Sequence, residues 1–424
     1  MDFRIDHARG WHGWNNRYTH PFQSDHECLE KDFSVQKRIG KEGEDMFEAI
    51  MSGLSGLIAG ISALHWSNLV MIAIGAILLY LGIKKDFEPL LLVPIGFGCI
   101  LVNIPLANLM EEEGFLRTLY NMGIVTELFP LLIFVGIGAM TDFRPVLENP
   151  YTFLLGAAGQ LGIFLVLLIA LALGFPYNEA VTIGIIGACD GPTVIYVASK
   201  YAKELLGPCT VAAYSYMSLV PVLQPPIMRM LTTKKERETI MKTHQKTVSD
   251  TTALLFPIVI TVVGGLIAPM GLPLLATIML GNFMKESGAV ARLTKASENE
   301  IANIVTLFLG LSIGATMNGP LFVKPTTLII LALGLLAICL DTVGGVLFGK
   351  LLYYLTGGKV NPLIGAAGIS AFPMSARVVQ KEGQKWNKKS YLLMHAMGAN
   401  AGGQVGSVIA AAVMLSVLKG MGVI

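Results

Sequence analysis

The sequence predicts an all-α polytopic membrane protein with two inverted-topology repeats, whose broken or re-entrant helices meet near the bilayer midplane. Three observations lead to this fold class: the composition, a succession of long apolar segments, and motifs that recur at a constant distance. Hydrophobic residues make up 53% of the 424 residues and charged residues only 14%, whereas a typical soluble domain has about 25% charged residues. Because a soluble chain of this length cannot bury so much apolar surface, we expect the bilayer to be its solvent.

Long apolar segments follow one another from residue 66 onward and are separated by short charged loops. Most approach the roughly 20 residues that a helix needs to cross a bilayer. These candidate segments are 66–83, 89–110, 122–140, 152–175, 180–199, 210–228, 252–270, 301–317, 326–348 and 391–418. Two further stretches, 272–284 and 361–376, are short or broken by helix-breaking residues. Since irregular backbone at membrane depth is tolerated only inside protein or beside a cavity, such stretches indicate a site.

Three short motifs recur at separations of 176 to 178 residues, which indicates an internal repeat. The matched pairs are Ile-Gly-Ala at 137–139 and 313–315, Ile-Gly-Ala at 186–188 and 364–366, and Tyr214/Met217 with Tyr391/Met394. From this repeat we predict four parts of the chain. They are a polar, mobile N-terminal extension (1–45), a first membrane repeat (46–230), a basic cytoplasmic linker (231–250) and a second membrane repeat (251–424).

Residues 1–45 differ from the rest of the chain, because they are polar and hold four of its seven histidines. The irregular spacing of these histidines supplies no convergent metal ligands. No apolar core follows a basic start, so the segment is not a signal peptide. We interpret it either as a mobile cytoplasmic tail or as an upstream extension before a functional start near Met46.

Basic residues predict the orientation of the membrane segments. Six lie in 229–249 and five in 377–390, so the positive-inside tendency places both loops in the cytoplasm. The 198–210 loop has only three charged residues, Lys200, Lys203 and Glu204, and we assign it to the outer side. The two halves would then be inverted. Inverted repeats with interrupted segments at matching positions indicate a transport site near the bilayer midplane.

Asp190 is the residue that most clearly indicates a function. It lies about halfway through segment 180–199, roughly 15 Å from either end at 1.5 Å per residue. A charged Asp at the centre of a membrane helix costs about 2.5–3.5 kcal/mol, so it faces a partner or a cavity. Gly191 and Pro192 would open the helix and free carbonyl oxygens, and Thr193 adds a hydroxyl, all of which are ligands that hard cations prefer. The alternative is a protonated Asp190 that is hydrogen-bonded within the helix bundle.

The second half offers neutral oxygen donors on the interrupted stretch 361–377. Asn361, Ser370 and Ser375 lie on it, and Arg377 ends it. The guanidinium of Arg377 can bind a carboxylate through two parallel hydrogen bonds. The alternative is that Asn361 caps a helix and Arg377 anchors an interface.

Two more polar features lie within apolar segments. Segment 210–228 contains Tyr214, Tyr216 and the Pro225-Pro226 pair, so it cannot form one straight helix. A tyrosine there either relays a proton or packs in the core. Asp341 is a second intramembrane carboxylate, which either pairs with a basic residue or belongs to the ion pathway.

Other classes of function lack their sequence signals. The chain has no phosphate-binding Gly loop, no GxSxG motif, no zinc motif and no basic stripe interleaved with aromatic residues, so nucleic acid is not an expected partner. The five cysteines are odd in number and lack metal-ligand spacing, and we interpret them as reduced packing residues. The site is therefore expected among the membrane segments.

Five stretches of the sequence together resemble one known family. They are Gly187-Ala-Cys-Asp-Gly-Pro-Thr193, Tyr214-Ser-Tyr-Met217 with Gln224-Pro-Pro226, Asn361 through Arg377, Lys84-Lys-Asp-Phe-Glu-Pro89, and Pro94 through Pro105. The family is the β subunits of the sodium-pumping biotin-dependent decarboxylases, which act on oxaloacetate, methylmalonyl-CoA, glutaconyl-CoA or malonate. The resemblance begins near Met46 and extends to the end of the chain. Cys189 departs from it mildly, because a small Gly or Ala is expected there.

The resemblance implies a multi-pass carboxybiotin decarboxylase of the bacterial cytoplasmic (inner) membrane. A biotin carrier subunit would bring carboxybiotin from a carboxyltransferase α subunit, and this chain would release CO2, consume a proton and export Na+. A small membrane-anchoring subunit and an oligomeric assembly are expected as well.

The same resemblance implies roles for individual residues. The expected Na+ ligands are Asp190, Asn361, Gly365 and Ser370. The expected catalytic residues are Asp190, Tyr216, Ser370 and Arg377. Among these, Asp190 would exchange Na+ for a proton, Tyr216 would take part in proton delivery, and Arg377 would bind the carboxybiotin.

Two rival functions fit the same composition. A Na+-coupled symporter or Na+/H+ antiporter would share the inverted halves and Asp190 but would not need a biotin carrier. A scaffold that anchors a soluble carboxylase to the membrane would leave Asp190 without a role.

Overall fold

Helices form the regular secondary structure of the described chain, and no strand occurs among its described residues. The computed structural model describes residues 46–52, 59–85, 89–241, 248–322 and 324–423. The predicted extension 1–45 lies outside the described residues, as do residues 86–88 of the Lys84–Pro89 motif and residues 242–247 of the linker. The predicted all-α class is confirmed for the part that is described.

The described residues belong to two separate units, which divide between Ala63 and Leu64. In the first unit, residues 46–52 form helix α1 and residues 59–62 form a further helical turn. The functional residues predicted from the sequence all belong to the second unit.

The first half of the second unit contains ten helices in its described residues. They are α2 (Trp66–Lys85), α3 (Pro89–Val102), α4 (Phe115–Tyr120), α5 (Leu128–Met140), α6 (Arg144–Glu148), α7 (Tyr151–Ala158), α8 (Leu161–Ala172), α9 (Tyr177–Ile185), α10 (Gly191–Tyr201) and α11 (Leu206–Leu231). A π-helical turn (Asn121–Val125) follows α4, and 3-10 turns at Ile186–Ala188 and Lys203–Leu205 flank α10.

The second half continues with nine helices in its described residues. They are α12 (Lys234–Arg237), α13 (Asp250–Ile267), α14 (Leu272–Ser287), α15 (Ala291–Ala296), α16 (Ala302–Ala315), α17 (Gly319–Phe322), α18 (Pro325–Leu355), α19 (Met374–Trp386) and α20 (Leu393–Gly420). A π-helical turn (Ser297–Ile301) precedes α16, and 3-10 helices occur at Pro269–Gly271 and Pro362–Gly368.

Five helical segments of the described chain are long and apolar enough to cross a membrane. They are Trp66–Lys85, Tyr151–Ala172, Asp250–Ile267, Pro325–Leu355 and Leu393–Gly420. Two bent pairs raise the number to seven if each pair is one span: Phe115–Val125 with Leu128–Met140, bent by 60°, and Lys203–Met217 with Leu219–Leu231, bent by 63°. The chain is a multi-pass membrane protein.

Proline and glycine placement explains where the predicted segments break and where they do not. The expected bend in 210–228 is confirmed, and so is the interruption at 361–376, where a 3-10 helix (Pro362–Gly368) precedes α19. Residues 272–284 instead lie within the continuous helix α14. Pro273 stands in the first turn of that helix, where a missing N–H costs no hydrogen bond. The expected 377–390 loop is largely helical, because α19 extends to Trp386.

Glycines allow two helix crossings that join the two halves. Where α5 crosses α14, a Cβ on Gly138 would overlap the backbone of Ile278, and one on Gly281 would overlap that of Val135. Helices α3 and α16 cross in the same manner through Gly98 and Gly314. Helices α5 and α16 also contact each other directly, and both line the cavity that contains Asp190.

Candidate functional site

Asp190 lies at a sharp break between two short helices. The chain leaves α9 through the 3-10 turn Ile186–Ala188, passes Cys189 in the left-handed region (φ 51°), and reaches Asp190 in an extended conformation just before α10. Pro192 occupies the first turn of α10, which its fixed φ favours. The predicted opening of the helix at this sequence is confirmed. As a result, Asp190 is only 3% exposed and lies next to irregular backbone.

Two hydroxyl groups converge on one carboxylate oxygen of Asp190. Thr193 Oγ1 donates to Asp190 Oδ2 at 2.6 Å. Ser407 Oγ, on α20, lies 3.3 Å from the same oxygen and 3.0 Å from the Gln404 carbonyl, so its single proton can go to either acceptor. Side chains from both halves of the chain therefore contact the Asp190 carboxylate.

The two interrupted segments touch each other directly. The backbone N–H of Ser370, which follows the 3-10 helix Pro362–Gly368, donates to the Ala188 carbonyl at 3.1 Å. Ser370 Oγ donates to the Gly403 carbonyl at 2.8 Å, and Gln404 Nε2 donates to the Ser370 carbonyl. Ser370 is thus fixed between the turn that carries Asp190 and helix α20.

A single cavity of about 820 Å³ brings Asp190, Ser370 and Arg377 together. Arg377 is an exposed residue, whereas Asp190 and Ser370 are buried, so the cavity extends from an exposed arginine to a buried carboxylate. Most of the remaining wall is apolar. Its apolar side chains include Leu90, Leu91, Ile133, Ile137, Met140, Met217, Leu393, Met394 and Met397.

Three other predicted site residues are absent from the described lining of this cavity. Asn361 Nδ2 donates to the carbonyls of Arg237 and Thr239 at 3.1 and 2.9 Å, and its Oδ1 accepts from Leu363 N at 3.0 Å. Asn361 therefore caps the 3-10 helix Pro362–Gly368 and anchors the linker, as the alternative interpretation expected.

Gly365 and Tyr216 also have contacts of their own outside the cavity lining. A Cβ on Gly365 would overlap the Gly345 carbonyl of α18, so Gly365 allows close helix packing. Tyr216 Oη donates to the Leu331 carbonyl at 2.7 Å, at the start of α18. The neighbouring Tyr214 does line the cavity, and its ring fits against Gly191, where a Cβ would overlap it.

Asp341 accepts backbone hydrogen bonds and has no ion pair among the described residues. Its Oδ1 accepts from Gly162 N at 2.5 Å and from Ile163 N at 3.3 Å, which caps the start of α8. Its Oδ2 is buried without a hydrogen-bond partner in the described chain. Of the two interpretations of Asp341, the pairing with a basic residue does not occur among the described residues. A role in the ion pathway stays open.

Some site residues escaped the sequence analysis because they belong to a distant helix. Gln404 and Ser407 reach the Asp190 region from α20, together with Asn400, whose Nδ2 donates to the Ile369 carbonyl at 2.6 Å. Their spacing of i, i+4 and i+7 puts all three on one face of an apolar helix. Such a buried polar stripe in a membrane segment is the signal that could have revealed them.

The basic linker and α19 lie at the same end of the molecule. Arg229, at the end of α11, donates to both carboxylate oxygens of Glu382 at 2.6 and 2.9 Å. Burial alone would raise the pKa of Glu382, but hydrogen bonds from Arg229, Trp386 and Lys385 outweigh it and lower the pKa to about 2. The Arg237 guanidinium stacks 4.0 Å from the centroid of the Trp386 ring. The two segments that were predicted to face the cytoplasm are thus bound to each other beside Arg377.

Comparison with known proteins identifies relatives over most of the chain. It is 49% identical over 375 residues to the glutaconyl-CoA decarboxylase subunit beta of Acidaminococcus fermentans, covering 88% of this chain and 100% of that protein. It is 51% identical over 361 residues to the methylmalonyl-CoA decarboxylase subunit beta of Veillonella parvula, covering 85% and 96%. It is 44% identical over 434 aligned positions to the oxaloacetate decarboxylase beta chain of Klebsiella pneumoniae, covering 88% and 100%.

Residues 67–418 match the sequence family described as the Na+-transporting oxaloacetate decarboxylase beta subunit. The match includes every predicted site residue and all helices from α3 to α19. The chain therefore belongs to the family of Na+-transporting oxaloacetate decarboxylase beta subunits.

Proposed function

We propose that this chain decarboxylates carboxybiotin on a biotin carrier protein and couples the release of CO2 to Na+ export with proton uptake. One observation carries the proposal: a single cavity joins the exposed Arg377 to the buried Asp190 and Ser370. Family membership supplies the class of reaction, because its relatives are beta subunits of decarboxylases. A secondary transporter without decarboxylase activity is the less favoured alternative.

Arg377 binds the carboxylate of carboxybiotin in this proposal. Its guanidinium is exposed at the cavity, makes no ion pair with any described residue, and offers the planar fork that matches a carboxylate. Decarboxylation breaks the bond between the ureido nitrogen and the carboxyl carbon. The carbon leaves as CO2, and the nitrogen takes up one proton.

Asp190 is the shared Na+ and H+ site. Its carboxylate supplies a charged oxygen, and the hydroxyls of Thr193 and Ser407 each have lone pairs that can turn to a cation. Hard cations prefer such oxygen ligands. Ser370 completes the site from the second half of the chain. When Na+ leaves, a proton replaces it on the carboxylate. This proton is then transferred to the ureido nitrogen.

Asn361 and Gly365 act through the segment that carries Ser370. Asn361 caps the 3-10 helix before Ser370, and Gly365 sets the distance of that helix from α18. Tyr216 is proposed for proton delivery, which requires its hydroxyl to exchange the Leu331 carbonyl for another acceptor.

Two inverted repeats, 46–230 and 251–424, with a cytoplasmic linker at 231–250, are proposed as the framework for transport. The twin crossings support them, because Gly138 and Gly314 stand at equivalent positions of the recurring Ile-Gly-Ala motif. The contact between Ala188 and Ser370 joins the interrupted segment of one half to that of the other. Such segments allow a site to be exposed alternately to the two sides.

We also propose partners for the chain, in keeping with its beta-subunit relatives. They are a carboxyltransferase α subunit, a biotin carrier subunit, a small membrane-anchoring subunit and further copies of the complex. The proposed location is a bacterial cytoplasmic membrane, with the basic end at Arg229 and Arg237 facing inward.

Proteoliposomes that contain the purified subunit test the proposal. With free carboxybiotin and Na+, the wild type should release CO2 in a Na+-dependent manner and move Na+ across the membrane. A Na+ flux that proceeds without carboxybiotin would instead identify the secondary transporter. Release of CO2 that ignores Na+ would refute the coupling.

A further inference from the structure

A polar stripe at the start of α16 and in the π-helical turn before it lines the same cavity. Asn299, in the π-helical turn before α16, and Asn303 and Thr306 all line the cavity. Asn303 and Thr306 are three residues apart on α16, which places them on one helix face. Glu298 and Asn299 line the cavity from the π-helical turn. No motif of the sequence analysis includes these residues.

Several polar groups of this stripe make no hydrogen bond with the described residues. The side chains of Asn303 and Thr306 make no hydrogen bond with any described residue. Asn299 Nδ2 donates to the Lys295 carbonyl at 3.0 Å, which leaves its amide oxygen available. Asn303 is an exposed residue at the edge of a largely apolar cavity, and its carboxamide offers one donor group and one acceptor group to a ligand.

The cavity suits an organic ligand better than a bare ion pathway. A volume of about 820 Å³ with mostly apolar walls and a few polar groups is typical of a small-molecule site. The free guanidinium of Arg377 lines the same cavity and favours a ligand with an anionic end.

We propose that Asn303, assisted by Thr306, binds the ureido group of carboxybiotin while Arg377 binds its carboxylate. The proposal rests on the function proposed above and extends it to a second set of substrate contacts. A ureido group has a carbonyl that accepts and an N–H that donates, and the Asn303 carboxamide matches both. The apolar side chains of Ile137, Met140 and Met394 enclose the ring system of biotin. Held between α16 and α19, the N-carboxyl group faces Asp190, from which the proton comes.

Kinetics of the reconstituted, intact protein test the assignment. The variants are Asn303→Ala and, as a matched control, Ile304→Ala, whose side chain is 54% exposed and does not line the cavity. For each variant, the KM for free carboxybiotin, the inhibition constant of the product biotin, and the half-saturating Na+ concentration are measured. Asn303→Ala should raise both biotin-related constants roughly 3- to 10-fold, the effect of losing one neutral hydrogen bond or two. It should leave Na+ half-saturation unchanged, and Ile304→Ala should change none of the three.

A second variant tests the chemistry of the contact. Asn303→Asp keeps an acceptor, loses the donor and adds a negative charge. It should therefore weaken the binding of carboxybiotin more than the binding of biotin, because carboxybiotin is anionic at its reacting end. Equal weakening of the two ligands, or none, would contradict a contact at the ureido group.

The outcomes separate this inference from the function on which it rests. If the wild type shows no Na+-dependent release of CO2, the proposed function fails. If the wild type is active and Asn303→Ala leaves the carboxybiotin constants unchanged, only the assignment of the α16 stripe fails. A shift in Na+ half-saturation without a change in KM would make the stripe an entry route for the cation and overturn the assignment.

Discussion

The backbone N–H of Ser370 donates to the Ala188 carbonyl at 3.1 Å. This bond joins two helix interruptions that lie far apart in the chain, and each one carries a residue of the cavity. Because Asp190 follows Ala188 by two positions, a shift of the segment 362–373 must either move Asp190 or break this bond. The site therefore lies where the two halves of the protein contact each other.

Replacing Asp190 with Asn should lower the affinity for Na+ by roughly 10- to 100-fold, because a charge-assisted interaction contributes about 1.5–3 kcal/mol. The side chains are nearly isosteric, so the hydroxyls of Thr193 and Ser407 keep an acceptor. The measurement is Na+-dependent CO2 release in proteoliposomes. Asp250→Asn is the matched control, since the Asp250 side chain is 92% exposed. Normal Na+ dependence in Asp190→Asn would exclude Asp190 from the cation site.

Replacing Arg377 with Lys should reduce decarboxylation more than Na+ binding. A lysine keeps the charge but lacks the planar fork that binds a carboxylate through two bonds. Both the rate of CO2 release and the half-saturating Na+ concentration should be measured. Lys389→Ala, at an exposed position beyond α19, serves as the control. Equal losses of the two quantities would refute a specific contact between Arg377 and the carboxylate.

Acid should weaken the contact between the end of α11 and α19 through Glu382. The pKa of Glu382 falls from the usual 4.5 to about 2 in the folded protein. The ionised group therefore contributes stability that is fully present above pH 4.5 and lost as the pH falls towards about 2. This contribution is measured by thermal unfolding in detergent over a range of pH. Glu382→Gln should remove this component, so the wild type and the variant should converge at low pH; a constant difference would contradict the assignment.

Two variants of Asp341 should separate its capping role from a role of its charge. Asp341→Leu removes the acceptor for Gly162 N and Ile163 N, which costs about 1–3 kcal/mol for each buried N–H left without a partner. Asp341→Asn keeps a carbonyl oxygen for both donors and should retain most of the free energy of unfolding. If Asp341→Asn is stable but loses Na+ transport, the charge of Asp341 belongs to the ion pathway. If transport persists, Asp341 is a structural cap.

The crossing of α5 and α14 should tolerate no side chain at Gly281. A Cβ there would overlap the Val135 carbonyl, and overpacking of this kind typically costs about 1–3 kcal/mol. The melting temperature in detergent should fall in Gly281→Ala. Gly420→Ala is the control, because no atom lies within 4 Å of a Cβ at that position. An unchanged melting temperature in Gly281→Ala would mean that the two helices can separate at no cost.

The all-α class of the described chain and the positions of its two main interruptions could be predicted from the sequence alone. Gly191 and Pro192 break the helix after Asp190, and the run from Asn361 to Pro373 cannot continue a regular α-helix. These are local consequences of backbone chemistry, so they are visible in a few adjacent residues. The cost of a charge in an apolar segment likewise singled out Asp190 before any contact was known.

Which side chains meet at the site depends on how distant helices pack, and the sequence did not reveal it. Ser407 and Gln404 approach Asp190 from α20, and Asn303 of α16 lines the same cavity as Arg377. Conversely, Asn361 turned out to bind the linker backbone and not to line the cavity. The difference has a physical reason: helix breaks depend on neighbours along the chain, whereas these contacts depend on how Gly138, Gly281 and similar residues let distant helices approach. The close approach of these helices depends on many weak packing interactions, so no single sequence motif predicts it.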